Sequence, residues 1–218
     1  MRPEVYIVGR DAVPSHWSVP AGESLSVALV VLPGVGLAAG ASGGRGGSGL
    51  TGVSDGRAEV ALGIDLTGPG ASAFVQGLYL CPGAEKVSLS VDVRHLSGGC
   101  ESRQLLKGIV GGTASFSFHG RILVPEGSQK TKAYQENHSI LLSREAVVET
   151  SPQLEIYADD VECSHGATVG ALSEVEQFYM RSRGIPLSEA RRLQILSFLS
   201  PVLSGLPTAV REEVLASI

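Results

Sequence analysis

From Glu59 to Gly166 the chain runs through short segments of alternating apolar and polar side chains, and no helical period interrupts them. Val60, Leu62, Ile64 and Leu66 share one face of the Glu59–Leu66 segment, and Val87, Leu89, Val91 and Val93 share one face of Val87–His95. A period of two sends successive side chains to opposite faces, so each run reads as a strand with one buried face. Phe116, Phe118, Ile122 and Val124 continue the series, followed by Ile140–Leu142, Val147–Val148 and Leu154–Ile156. Gly68-Pro69-Gly70, Gly98-Gly99, Gly111-Gly112 and Glu126-Gly127 supply the corners. With no crossover helices, a βαβ sheet has no place here. The strand groups recur at roughly twenty-odd residues, as a wound solenoid requires. A β-sandwich shows the same short alternating strands, and pattern alone leaves the two open.

Composition narrows the class. Only 18% of the 218 residues are charged and 5% are aromatic, while 28 are glycine, which suits a turn-rich β structure rather than a helical bundle. The net charge of −5 speaks against a nucleic-acid footprint, which needs clustered Lys and Arg. Cys81, Cys100 and Cys163 are odd in number and form no CxxC, so a reducing, cytoplasmic setting is the simpler expectation. The N-terminal MRPEVYIVGRDAVP lacks the apolar core of a signal peptide. The apolar run Leu25–Gly40 is short and broken by Pro33, Gly34 and Gly36, so no membrane span is expected.

Before the alternating region, Glu4–Val8 reads as a short strand and Leu25–Leu32 as a strand buried on both faces. A glycine-rich loop is expected at about 34–56, with Gly43–Gly49 (GGRGGSG) at its centre. VVLPGVGLAAG contains a G-x-G-x-x-A string after a strand, but glycines rather than a helix follow it, so a loop is the better reading than a dinucleotide turn.

The character changes at Leu172. Ser173 and Glu176 form a capping box, Phe178, Tyr179 and Met180 supply an apolar face, and Gly184 ends this first helix. A second helix is expected from about Ser188 to Ser200, with Pro201 kinking or ending it, and a last amphipathic segment from Pro207. The expected organisation is a β body over 1–171 and a helical segment over 172–218.

Chemistry concentrates in Leu154–Gly170 (LEIYADDVECSHGATVG). Leu154, Ile156 and Ala158, then Val161, Cys163 and His165, fit two short strands broken by an Asp159-Asp160 corner. Cys163 and His165, two residues apart, share a face and offer a soft sulfur and a borderline nitrogen, a pair that iron and zinc both accept. Gly166 is expected to turn the chain tightly beside them. Two ligands do not close a metal site, which usually takes four. His138, His119 and Cys100 are possible additions, but spacing selects none of them. The competing reading is a buried cysteine and a hydrogen-bonded histidine. Asp159-Asp160 is a solvated corner rather than a paired-carboxylate site, Glu162 lies on the face opposite Cys163, and Ser164 has no neighbouring base.

PQLEIYADDVECSHGATVG followed by FYMRSRGI closely resembles the SufB/SufD family of the SUF iron–sulfur cluster assembly machinery, on its SufD side. CESRQLLKGIV (Cys100–Val110) and KAYQENHSILLS (Lys132–Ser143) look like the family's core repeats, and the likeness is ordered over Val87–Gly184. It implies an all-β core formed by a right-handed parallel β-helix, with a small C-terminal α-helical segment. It further implies a non-catalytic scaffold that pairs with a SufB-like paralogue and a SufC-like ABC-type ATPase in the cytosol. The ATPase would dock on the helical segment, through Phe178, Tyr179, Arg183, Leu193 and Phe198. A transient iron–sulfur cluster would form at the junction of the two β-helices, using His165, with Cys163 as its neighbour; no permanently bound cofactor is expected. Met1–Gly56 matches the family weakly, which keeps a homodimer through the same C-terminal surface in view. A stand-alone, homodimeric metal-binding or carbohydrate-binding β-solenoid is the reading from another class; carbohydrate-active β-helices need convergent acidic residues on an exposed face, and none is evident, while the metal-binding form would use Cys163 and His165.

Overall fold

The computed structural model describes residues 2–35, 51–54 and 57–218; the Gly43–Gly49 run and, from Gly36 on, the G-x-G-x-x-A string lie outside the described residues. The strands are β1 (Glu4–Ile7), β2 (His16–Val19), β3 (Ser24–Val31), β4 (Thr51–Ser54), β5 (Arg57–Leu66), β6 (Ser72–Cys81), β7 (Lys86–His95), β8 (Glu101–Val110), β9 (Ser115–Val124), β10 (Lys132–Leu141), β11 (Val147–Ile156) and β12 (Glu162–Ala171). The helices α1 (Glu174–Ser182), α2 (Leu187–Leu203) and α3 (Thr208–Ala216) close the chain. β4 corrects the expectation of an unbroken loop over 34–56, because its backbone pairs antiparallel with Arg57–Val60.

Apart from β4, which pairs with its neighbour β5, strands adjacent in sequence lie in opposite sheets. One sheet runs β1-β3-β6-β8-β10-β12 and the other β2-β5-β7-β9-β11, all parallel within each sheet. This is a parallel β-solenoid, and the sandwich alternative falls away. Glu101, Lys132 and Glu162 are register partners, as are Arg57, Lys86 and Ser115, so one turn takes about 30 residues rather than the twenty-odd inferred from pattern. The discrepancy has a physical cause. The inward positions of β8 and β10 hold Ser102, Gln104, Gln135, Asn137 and Ser139, all buried, so the apolar alternation that marks a strand is missing there.

The inner faces of both sheets meet in one core. Val60, Leu62, Ile64 and Leu66 stack beneath Leu89, Val91 and Val93, with Phe116 and Phe118 on the next turn. Tyr79 stacks on Phe116 at 3.7 Å with 6° between ring planes. Gly108 makes this possible, because a Cβ there would lie 1.9 Å from Tyr79 Cδ2.

β3 is buried on both faces, as its sequence predicts, and the C-terminal helices supply the second cover. Leu199, Val202, Leu203, Leu206 and Val214 pack on Ala28, Val30, Leu78, Leu80 and Ile109 of the first sheet's outer face. Lys107 Nζ donates to the Phe198 carbonyl at 3.1 Å and lies 4.6 Å from the centre of the Phe198 ring. Arg10 makes a bidentate pair with Glu213, at 3.0 and 2.6 Å, linking the chain's first turn to α3. α1 begins as expected, with Ser173 Oγ accepting from the Glu176 amide at 3.3 Å. The Glu176 carboxylate accepts from Gln194 Nε2 at 2.7 Å instead of reaching back to Ser173, so the capping box is half formed. α2 passes through Pro201 to Leu203, so of the two expectations for Pro201 the helix end does not hold. The Ser200 hydroxyl donates at 3.0 Å to the Ser197 carbonyl, the acceptor that proline's missing N–H leaves vacant. Among the described residues no helix is long and apolar enough to cross a membrane.

Candidate functional site

The solenoid ends on β12 and β11. β12 hydrogen-bonds to β10 along one edge, and its other edge is unpaired among the described residues. Its inward positions are Cys163, His165, Ala167 and Val169; across the interior, β11 presents Val148, Thr150, Pro152 and Leu154. Gly166 lies within β12 and makes no turn, contrary to expectation, because the strand continues in register to Ala171. The corner is instead made before the strand, at Asp159-Asp160, both exposed. There Lys130 pairs with Asp160, and the Asp160 amide donates to Gln129 Oε1 at 2.9 Å.

Alternation places Cys163 and His165 on the same face, as the sequence requires. Cys163 is half-buried against Ile122, Val124, Ala133 and Ala158, and this burial pushes its thiol pKa above the ordinary value. A raised pKa keeps the sulfur protonated and unreactive until a metal ion displaces the proton. His165 is exposed, one turn beyond the buried Gln135, which in turn lies beyond the buried Gln104. Gln135 Nε2 donates to Gln104 Oε1 at 3.0 Å, forming an amide ladder directed at the open end. Gly120 of β9 makes room for it, since a Cβ there would come within 2.1 Å of Gln135 Nε2. Beside this ladder the Tyr79 hydroxyl donates to Asn137 Oδ1 at 2.9 Å and lies 2.6 Å from Ser139 Oγ, while Asn137 Nδ2 donates to Thr150 Oγ1 at 3.2 Å. The interior behind His165 is therefore polar, whereas that behind Cys163 is apolar.

The other candidate ligands do not converge on this pair. His138 lies on the outer face of its sheet, with Nδ1 2.8 Å from Thr168 Oγ1 and Nε2 3.1 Å from Glu136. His119 is exposed on the outer face of the opposite sheet. Cys100 is buried with its Sγ 3.2 Å from the Gly68 carbonyl, and Cys81 is also buried, its thiol pKa pushed up to about 12 by desolvation. Glu162 stays on the outer face, accepting from Lys132 at 2.9 Å and from the Tyr134 hydroxyl at 3.1 Å. Among the described residues no group of three or more His, Cys, Asp or Glu could hold a metal ion, so Cys163 and His165 contribute half of a four-ligand set at most.

On the helical segment, Phe178 is 73% and Tyr179 60% exposed, and the Arg183 guanidinium lies 5.4 Å from the Tyr179 ring centre. Leu193 is exposed as well. Phe198 is half-buried and packs against the solenoid. Tyr179, Leu193 and Phe198 join Ile140, Leu172 and Val175 in an apolar groove between α1, α2 and the end of the first sheet. The residues that sequence reasoning missed are Gln104 and Gln135, since a polar side chain at a strand position reads as outward-facing.

Residues 51–198 match the family described as SUF system FeS cluster assembly, SufBD core domain. The iron–sulfur cluster assembly protein SufD of Escherichia coli is 38% identical over 154 residues, covering 70% of this chain and 36% of that protein. SufD of Bacillus subtilis is 32% identical over 154 residues, 71% of this chain and 35% of the relative. A SufBD family protein of Synechocystis is 44% identical over 120 residues, 55% of this chain and 26% of the relative. The matched stretches thus span about a third of the length of the curated relatives. With the solenoid, the helical cover and the sequence match agreeing, the chain belongs to the SufBD family of SUF-system iron–sulfur cluster assembly proteins.

Proposed function

We propose that this chain is a non-catalytic scaffold subunit in iron–sulfur cluster assembly, joined in the cytoplasm by a SufB-like β-helix protein and a SufC-like ATPase. The observation that carries the reading is the placement of His165, exposed on the inner column of β12, whose outer edge is unpaired among the described residues, with Cys163 one alternation away. An imidazole and a thiol at a sheet edge form an incomplete ligand set next to a surface that invites another strand. The partner β-helix would supply the remaining ligands, and the cluster is cargo that forms and leaves. The ATPase would dock on the exposed apolar side chains of α1 and α2.

Removing residues 172–218 would uncover the apolar outer face of the first sheet, so point substitutions make the better test. Tagged wild type, the combined Phe178→Ala, Tyr179→Ala and Leu193→Ala variant, and His165→Ala are each used for affinity capture from cells. The same cells are scored for the activity of an iron–sulfur-dependent enzyme. The triple variant is expected to lose the ATPase and keep the β-helix partner. His165→Ala is expected to keep both partners and fail in maturation. Maturation by His165→Ala at the wild-type level, or recovery of a bare homodimer from wild type, would overturn the proposal.

A further inference from the structure

We infer that Gln135 is the positioning residue for His165: its amide oxygen accepts the proton of one ring nitrogen and leaves the other ring nitrogen with a free lone pair at the open end. This rests on the reading of His165 as a ligand. Gln135 is 1% exposed, and its Oε1 has no hydrogen-bond partner among the described residues. Gln135 Nε2 is engaged by Gln104 Oε1, which leaves Oε1 as the amide's one group without a partner among the described residues. The next turn carries His165, the register partner of Gln135, at the usual strand separation of about 4.8 Å. Neither ring nitrogen of His165 has a hydrogen bond among the described residues. An orphaned buried acceptor and an unbonded donor therefore occupy neighbouring positions of one column. Packing alone would favour an apolar side chain at position 135, yet Gly120 opposite is kept bare to admit the amide. In histidine the hydrogen bond made by one ring nitrogen decides the protonation of the other, and such outer partners set ligand basicity.

The test is the ring nitrogen NMR spectrum of the full chain, with the His165 signals assigned by their loss in His165→Ala. Wild type is expected to show one dominant tautomer of the neutral ring. Gln135→Met, close in shape but without the acceptor, is expected to move both ring nitrogens toward the averaged values of a freely exchanging imidazole. Gln135→Glu keeps an acceptor at the same position and is expected to retain the wild-type tautomer. His165 nitrogen shifts equal to wild type in Gln135→Met, or loss of the tautomer preference in Gln135→Glu, would overturn the inference. That outcome leaves the cluster-assembly reading untouched, and normal maturation by His165→Ala would defeat that reading without altering the tautomer result.

Discussion

Replacing Gly108 with alanine adds one methyl group to an inward position of β8, where it meets the flat side of the Tyr79 ring. The new Cβ would lie 1.9, 2.0 and 2.3 Å from Tyr79 Cδ2, Cε2 and Cγ, well inside van der Waals contact. The ring cannot retreat, because its other neighbour is Phe116, stacked at 3.7 Å, and its hydroxyl is tethered to Asn137 and Ser139. Overpacking of this kind costs about 1–3 kcal/mol, and loss of the two buried hydroxyl contacts adds about 1 kcal/mol each, giving about 3–5 kcal/mol. Equilibrium unfolding in guanidinium chloride measures it, with Gly170→Ala as the matched control. Gly170 has nothing within 4 Å of its Cβ position, so its alanine variant should remain within about 0.5 kcal/mol of wild type. A Gly108→Ala loss below about 1 kcal/mol, or equal losses in the two variants, would refute the packing argument.

Two further outcomes follow from buried titratable groups. His95 lies in the core with Nε2 2.8 Å from Ser102 Oγ, and burial lowers its pKa to about 4 from an ordinary 6.5. Between these values the unfolded chain binds a proton that the folded chain refuses. His95 therefore costs no stability above pH 6.5 and about 1.4 kcal/mol per pH unit as acidity rises toward pH 4. Denaturant titrations of wild type and His95→Gln across that window should show the steeper acid loss in wild type, and parallel curves would contradict it. Cysteine alkylation followed by peptide mass spectrometry should label the half-buried Cys163 first and slowly, with Cys81 and Cys100 modified only on unfolding. Labelling of Cys81 at the rate of Cys163 would count against the described core.

Where apolar alternation was present, the fold was legible. β5, β7 and β9 run as their valines, leucines and phenylalanines predict, and β3 is buried on both faces as its continuous apolar run demands. The start of α1 was readable from Ser173. β6, β8 and most of β10 were not legible. Gly77 and Gly108 interrupt the apolar count, and the buried Gln104, Gln135 and Asn137 look outward-facing in a list of residues. The helix through Pro201 was unreadable for a different reason, since the Ser200 hydroxyl takes over the bond that proline cannot make.

For the site, the spacing of Cys163 and His165 by itself determined that they share a face, because strand periodicity is a local property of the backbone. Sequence also limited them to two ligands on that strand. Only the tertiary structure decided that this face is the interior column of the last turn, that His119, His138 and Cys100 lie elsewhere, and that a buried amide ladder backs His165. The physical reason is that residues about 30 positions apart become neighbours through winding, and winding depends on which strands stack rather than on the local pattern of any one of them.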